Sequence, residues 1–251
     1  VIAYEDTANG ALKLALCADP LCVAALTVVI APDLAGSNTA VALAADGRPL
    51  VAYVAAGGTP ARLKAAHCDD ASCAASTISD LDGAHSTAVG LVIGGDGRGM
   101  IHYTRSFMGQ PLPGSLLHCA DVACTAGTVA QGTSAIASGA SRQPLLGPGI
   151  DHPSMRVGAD GFIRAAVAYV YFEGPSVKFL RCLDAACFLN NIGTIPAQYA
   201  PPALALGAND FPWLVVAADQ PTTELRMVRC LDADCAAQQP QGCLAGMGER
   251  P

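Results

Sequence analysis

A six-residue pattern, Cys-x-Asp-x-x-Cys, occurs five times in this chain and constrains its fold more than any other feature. It recurs at intervals of roughly fifty residues and begins at Cys17, Cys68, Cys119, Cys182 and Cys230. A period of this length is typical of repeat proteins, in which each unit buries its hydrophobic face only against its neighbours. The repeats run along the whole chain without a charged or low-complexity linker, which predicts a single domain over residues 1–251.

Each repeat contains four strand-like segments, and the second repeat shows them best. Residues 39–45 and 49–53 form two apolar segments separated by the dipeptide Asp46-Gly47. Asp-Gly supplies the positive φ angles that a tight hairpin requires. A third segment ends at the first cysteine of the motif, and a fourth begins after the second cysteine. The cysteine pair therefore staples the turn between strands three and four.

Four short antiparallel strands per unit, repeated about five times, predict an all-β fold. We expect a five-bladed β-propeller of four-stranded antiparallel blades with a hairpin disulfide in each blade. The Asp-Gly turn and the Cys-x-Asp-x-x-Cys hairpin resemble those of secreted bacterial β-propellers built from tandem blades, a likeness of scaffold that spans the chain. Val1 lies at the second strand of a blade, and residues 244–251 are similar to residues 43–49. We therefore expect N- and C-terminal strands to close the ring.

Ten of the eleven cysteines form identically spaced pairs, which predicts five disulfides made outside the reducing cytosol. A zinc site is the alternative, but Cys-x4-Cys without a second ligand pair nearby is a poor tetrahedral frame. We expect a secreted, periplasmic or cell-surface protein. Cys243 is left over, and it pairs with a residue outside this sequence, links to another chain or remains a buried thiol. The predicted disulfides join Cys17 to Cys22, Cys68 to Cys73, Cys119 to Cys124, Cys182 to Cys187, and Cys230 to Cys235.

The composition argues against several classes of partner. The 14 basic residues are outnumbered by 21 acidic ones and form no cluster, so nucleic acid is not an expected ligand. Hydrophobic residues make up 52% of the chain, but no apolar run approaches the roughly 20 residues of a membrane-spanning helix. We find no nucleophile elbow, metalloprotease motif or phosphate-binding glycine loop. We therefore assign no catalytic residue and expect no cofactor.

The connections between strands predict where a ligand would bind. In a propeller, the loops from strand two to three and from strand four to the next blade open on one side, here called the loop face. The Asp-Gly and cysteine turns open on the opposite side, the turn face. Length variation falls on the loop face, and variable loops on a rigid scaffold often carry function. The predicted binding residues, with Asp6 and Asp82 beside them, are Glu5, His85, Arg105, Asp151, His152, Tyr199 and Asp219.

Histidines offer a weaker metal hypothesis. His102 occupies a second-strand site filled by alanine in two sister blades, and it could converge with His85 and His152 to hold Zn, Cu or Mn. The alternative is two loop histidines and one core histidine, and we assign no metal. His67 and His118, which precede cysteines, are interpreted as surface variation.

Three other recurrences have structural interpretations. A basic residue four positions before the first cysteine indicates a solvated or salt-bridged strand, or a ring that attracts anionic polymers. A tyrosine near the end of the second strand indicates packing between blades, or a set of sugar-stacking platforms. Trp213 is expected in the core. The basic residues are Lys13, Lys64, Lys178 and Arg226, and the tyrosines are Tyr4, Tyr53, Tyr103 and Tyr169.

Three functions are compatible with this sequence. The first is a lectin-like extracellular or surface-exposed binding module that holds a glycan or protein ligand on the loop face. The second is an extracellular polysaccharide hydrolase or lyase, and the third is a structural subunit of a surface assembly with a partner bound through Cys243. A propeller hosts many unrelated functions, so the fold does not choose among them.

Overall fold

The computed structural model describes residues 1–31, 39–55, 62–82, 89–107, 110–130, 153–171, 174–197, 201–217 and 225–241. These residues form nineteen strands and no α-helix. None of the described residues therefore belongs to a helix long and apolar enough to cross a membrane.

The strands assemble into five antiparallel sheets in chain order, which we call blades 1 to 5. Blade 1 contains β1 (Ile2–Asp6), β2 (Ala11–Cys17) and β3 (Ala25–Ala31). Blade 2 contains β4 (Thr39–Leu43), β5 (Pro49–Ala55), β6 (Arg62–Cys68) and β7 (Ser76–Asp82). Blade 3 contains β8 (Val89–Ile93), β9 (Gly99–Phe107), β10 (Gln110–Cys119) and β11 (Gly127–Ala130). Blade 4 contains β12 (Ser154–Val157), β13 (Ile163–Tyr171), β14 (Gly174–Cys182) and β15 (Asn190–Pro196). Blade 5 contains β16 (Ala203–Leu206), β17 (Pro212–Ala217), β18 (Leu225–Cys230) and β19 (Gln238–Gln241).

The predicted all-β propeller fold is confirmed, with one difference in strand number. Blades 2 to 5 have four strands each, whereas the described part of blade 1 has three. Its β1 corresponds to the second strand of the other blades. Among the described residues, blade 1 therefore lacks an innermost strand. The strand predicted to close the ring from residues 244–251 lies outside the described residues.

The hairpin between the first two strands of each complete blade follows the turn chemistry of its sequence. Gly47, Gly97 and Gly161 adopt φ angles of 77°, 78° and 80°, in the left-handed region where a β-carbon is unfavourable. Asp210 takes this position in blade 5 with a φ of 63°, which Asp tolerates better than most residues. The altered Asn209-Asp210 dipeptide therefore makes the same turn.

All five predicted disulfides are formed, each across a turn with a Cα–Cα separation of 4.7–4.8 Å. The second cysteine of every pair has a positive φ between 53° and 58°. The Asp of each motif accepts hydrogen bonds from amides of its own turn, as Asp232 does from Asp234, Ala236 and Ala237 at 2.8–3.0 Å. Each of these aspartates therefore caps its own turn.

The hydrophobic core lies between successive blades rather than inside one sheet. Each blade has a forward face, directed at the next blade in the chain, and a backward face, directed at the preceding one. For example, Ala65 of the forward face of blade 2 packs in one cluster with Tyr103 and Leu117 of the backward face of blade 3. Four clusters of this kind join the five blades in order. The disulfide belongs to the backward face, so each of Cys68, Cys119, Cys182 and Cys230 packs against the preceding blade.

Polar contacts between neighbouring blades link the last three blades, at the turn face between blades 3 and 4 and near the loop face between blades 4 and 5. The amide of Gly95 in blade 3 donates to the carbonyl of Gly161 in blade 4 at 2.7 Å. A β-carbon on Gly95 would lie 2.6 Å from the Cα of Gly161, so only glycine permits this approach. The amide of Leu204 in blade 5 donates to the hydroxyl of Ser154 in blade 4 at 2.9 Å.

Candidate functional site

The loop face and the turn face are assigned by the strand ends. The Asp-Gly and disulfide turns lie within the described residues and are uniform in build. The connections of the loop face vary: β7 ends at Asp82 and β8 begins at Val89, whereas β11 ends at Ala130 and β12 begins only at Ser154. Since uniform turns serve the scaffold, the loop face is the candidate site.

A buried tyrosine and a carboxylate join blades 2 and 3 beside the loop face. The hydroxyl of Tyr103 on β9 donates to Oδ2 of Asp82, at the end of β7, over 2.5 Å. Tyr103 is fully buried, as is the equivalent Tyr53. These two tyrosines therefore pack between blades, and their rings cannot serve as stacking platforms for sugars. Asp82 is held at the start of the connection that contains His85.

The β1–β2 hairpin brings a second carboxylate to the loop face. Asp6 lies 2.6 Å from the ammonium of Lys13 and accepts from the side-chain amide of Asn9 at 2.7 Å. The hydrogen bonds from Lys13 and Asn9 lower the pKa of Asp6 to about 2, and the bond to Asp6 raises the pKa of Lys13. Both groups are charged at neutral pH, so Asp6 acts as a fixed anion and not as a proton donor.

The other basic residues of this row have similar partners. Lys64 lies 3.3 Å from Asp80, and the ammonium of Lys178 donates to Thr194 at 2.8 Å. Both contacts reach from the third strand of a blade to its fourth strand. The salt-bridged interpretation of this row is therefore confirmed for Lys13 and Lys64, whereas Lys178 makes a neutral-acceptor hydrogen bond.

His102 is fully buried in the forward face of blade 3, near blade 4. Its cross-strand neighbours are Gly90 and Leu116. Neither ring nitrogen has a hydrogen-bond partner among the residues that the structure describes. Burial lowers the pKa of His102 to about 4, so the ring is neutral at physiological pH.

Pro153 of the neighbouring blade packs on Gly90, the cross-strand neighbour of this histidine. A β-carbon on Gly90 would lie 2.6 Å from Cγ of Pro153, so glycine is needed for blade 4 to come this close. Within the described ranges, no three His, Cys, Asp or Glu side chains are grouped to hold a metal ion. Among the described residues, His102 is therefore a packed core residue.

The remaining predicted site residues lie mostly outside this description. Glu5 is half-buried on β1, opposite Leu12 of β2. Arg105 lies on β9, but its side chain is not among those described. The others fall in connections that the structure does not describe, so their convergence stays a prediction: His85, Asp151, His152, Tyr199 and Asp219.

Two histidines were wrongly interpreted as surface variation. His67 is buried and lies 3.1 Å from Asp46, and His118 is largely buried and lies 2.8 Å from Asp96. Each imidazole joins the third strand of its blade to the Asp-Gly turn. The sequence carries one signal of this burial: each histidine directly precedes the first cysteine and pairs across the strand with a core residue.

In blade 4 the Asp-Gly turn is held instead by a buried arginine on the second strand, which the sequence analysis missed. Arg164 lies 2.7 Å from Asp160 of its own turn and 3.0 Å from Asp210 of the blade 5 turn. Burial opposes ionisation of Asp160, but the hydrogen bonds from Arg164 and the amide of Phe162 outweigh it and hold the pKa of Asp160 below its usual value. Arg164 therefore locks blades 4 and 5 together at the turn face.

Two aromatic residues differ from their sequence interpretation. In blade 4, the residue opposite the basic residue Lys178 is Val167, which is buried, and not Tyr169. Trp213 is only half-buried on the forward face of blade 5, where the guanidinium of Arg229 lies 5.3 Å from its ring centroid. The first difference is a two-residue offset in β13, and the second arises because no blade among the described residues packs on this face.

Comparison with known proteins supports the fold and leaves the site open. No protein-family model matches the chain, and no curated protein matches it. A protein of unknown function from Dyadobacter fermentans superposes with a TM-score of 0.61 at 10% identity, over 90% of this chain and 70% of that chain.

Two enzymes superpose less well. An endo-arabinase from Bacteroides thetaiotaomicron has a TM-score of 0.42 at 10% identity, over 90% of this chain and 91% of that chain. A beta-fructofuranosidase from Aspergillus kawachii has a TM-score of 0.39 at 13% identity, over 77% of this chain and 43% of that chain. At these values no residue of either enzyme is carried over to this chain.

Proposed function

We propose that this protein is an extracellular binding module that takes a glycan on its loop face. The observation that carries the proposal is the contrast between the two faces. On the turn face, the reactive side chains have structural roles. The cysteines form disulfides, the motif aspartates cap their turns, and His67, His118 and Arg164 pair with aspartates. On the loop face, the connections differ in length from blade to blade, as expected of a surface adapted to a ligand.

The chemistry of the predicted loop residues favours a polyhydroxylated ligand. Carboxylate, guanidinium and imidazole groups donate or accept several hydrogen bonds in fixed directions. Asp6 and Asp82 are already oriented, by Lys13 and Tyr103. Five disulfides hold the blades that carry these groups and suggest an extracellular location. A rigid scaffold reduces the entropy lost when a ligand binds.

Binding of the oxidised protein to a broad glycan array tests this proposal. We expect at least one glycan to bind, and the double variant Asp151→Asn, His152→Ala to bind it at least tenfold more weakly. Arg98→Ala is the matched control, because Arg98 is exposed on the turn face, and it should bind as the unaltered protein does. A blank array, or equal binding by all three proteins, would contradict the proposal and favour a protein ligand.

Hydrolysis or lyase cleavage of an extracellular polysaccharide is the second candidate on the same face. Enzymes that act on sugars stand among the similar structures, but at TM-scores below 0.5 they do not weigh in this choice. A glycosidase needs two carboxyl groups, whose separation sets the stereochemistry of the product. Incubating each array-positive glycan with the protein, and measuring new reducing ends, distinguishes binding from cleavage. Reducing ends that form with the unaltered protein and not with Asp151→Asn would establish an enzyme.

A further inference from the structure

The first and last blades expose faces that are buried in every other blade. The tyrosine position of the backward face shows this at blade 1. Tyr4 is 37% exposed, whereas the equivalent Tyr53 and Tyr103 are 0% exposed and Val167 and Val216 are 1% exposed. Ile2, on the same face, is 50% exposed.

The forward face of blade 5 is open in the same way. Met227 is 39% exposed, whereas its four equivalents, Leu14, Ala65, Leu116 and Phe179, are fully buried. Beside Met227 lies an apolar hollow of about 340 Å³ with Trp213 and Val215 in its wall. In the other blades this surface is filled by side chains of the next blade.

The disulfide turn of blade 1 is also uncovered. Cys17 and Cys22 are half-buried, whereas the cysteines of the other four pairs are buried against the preceding blade. Leu21 and Val23, which flank the second cysteine, are each 84% exposed. An apolar surface of this composition is rarely left in water unless it meets a partner.

We propose that these two open faces bind each other between two copies of this chain. The argument rests on complementarity shown four times within the molecule. At each junction a forward face packs on a backward face that carries the disulfide and the tyrosine or its valine equivalent. Blade 5 offers an unused forward face, and blade 1 offers an unused backward face of the same pattern. A second copy therefore presents the matching surface for each.

We infer a second copy as the partner because the two faces do not contact each other within the residues that the structure describes. Innermost or second strands of successive blades contact one another, β1 with β4, β4 with β8, β8 with β12, and β12 with β16. Over the described residues no contact of similar extent links blade 5 to blade 1, and Tyr4 and Met227 both remain open. Two copies arranged head to tail would form two such interfaces, each between the forward face of one copy and the backward face of the other, and a dimer of this kind leaves neither face open.

Analytical ultracentrifugation of matched variants tests the dimer. All proteins carry Cys243→Ser, which removes association through that thiol. Leu225→Asp with Met227→Asp places two carboxylates on the open forward face, and Leu189→Asp is the control on blade 4. Leu225 and Leu189 are 63% and 64% exposed, so the control matches the first of the two substitutions in exposure. We expect the Cys243→Ser protein and the control to be dimers, and the double variant to dissociate with a Kd at least tenfold higher.

Crosslinking identifies the partner independently of those variants. A photoreactive benzoylphenylalanine in place of Tyr4, in a mixture of isotopically heavy and light protein, should link heavy chains to light chains at β17 or β18. A monomer at all concentrations overturns the proposal, as does a double variant that dimerises as tightly as the control. Links that form only within one chain also overturn it, and would mean that the ring closes on itself through residues 242–251.

Discussion

At the scale of single residues, departures from the repeat show where the interfaces between blades have been altered. Ala52 and Ala166 occupy the forward face of blades 2 and 4, where blade 3 has His102. A buried imidazole without a hydrogen-bond partner has a free-energy penalty, and protonation increases it. The repeat alone identified His102 as unusual, but its burial could not be predicted, because blade 4 packs on this face of blade 3.

His102 makes the stability of the protein depend on pH. Its pKa is about 4 in the folded state and near 6.5 when unfolded, so between these values the unfolded state binds more protons. The contribution of neutral His102 is complete above pH 6.5, falls as the pH is lowered, and is lost below about 4. The free energy of unfolding should drop by up to roughly 3 kcal/mol over this range.

Urea denaturation between pH 7 and pH 4 measures this dependence. His102→Ala should flatten it, with a loss of stability from the cavity that is the same at every pH. Leu116→Ala is the control, because it opens a cavity beside His102 and leaves the titration in place. An equally steep pH dependence in His102→Ala would show that another group is responsible.

A second prediction at this scale concerns the Asp of the cysteine turns. Asp232→Ala removes an acceptor of three amide hydrogen bonds, and we expect the free energy of unfolding to fall by about 1–2 kcal/mol. Asp232→Asn keeps one acceptor oxygen and should lose less. Chemical denaturation of both variants checks the order, and equal losses would mean that the carboxylate's hydrogen bonds do not account for its role.

At the scale of elements, the sequence predicted what is local and missed what is made between blades. The Asp-Gly turns and the cysteine hairpins depend on neighbouring residues, and both are found as predicted. His67 and His118 were missed because their partners lie in a turn more than twenty residues earlier, and Arg164 because one of its partners lies in the turn of the next blade. The register of β13, which places Val167 where Tyr169 was expected, depends on pairing with β14 and could not be read from spacing.

The disulfides offer a matched test at this scale. All close rings of equal length, for which the loop-entropy model gives about 2 kcal/mol each. Cys119 and Cys124 are also buried between two blades, whereas Cys17 and Cys22 are half-buried. Replacing the first pair by alanine should therefore lower the free energy of unfolding by at least 1 kcal/mol more than replacing the second pair. Guanidinium denaturation of the two double variants measures the difference, and equal losses would contradict the contribution of packing.

At the scale of the whole molecule, the repeat predicted the number of blades and their order. It did not predict that the backward face of blade 1 and the forward face of blade 5 are open, since a repeated pattern makes each blade equivalent to the others. The candidate site was predicted only as a face. The loop residues that would define it have no repeat to constrain them, and the structure describes only the strands that carry them.

The central claim is that ligand binding belongs to the loop face and that the turn face is scaffold. Hydrogen–deuterium exchange of the oxidised protein, with and without a glycan that binds it on the array, tests this most directly. We predict slower exchange with ligand in residues 131–153 and at the loop-face ends of the neighbouring strands, with no change in residues 94–98 or in the five disulfide turns. Protection confined to the turn face, or to the open faces of blades 1 and 5, would contradict the claim.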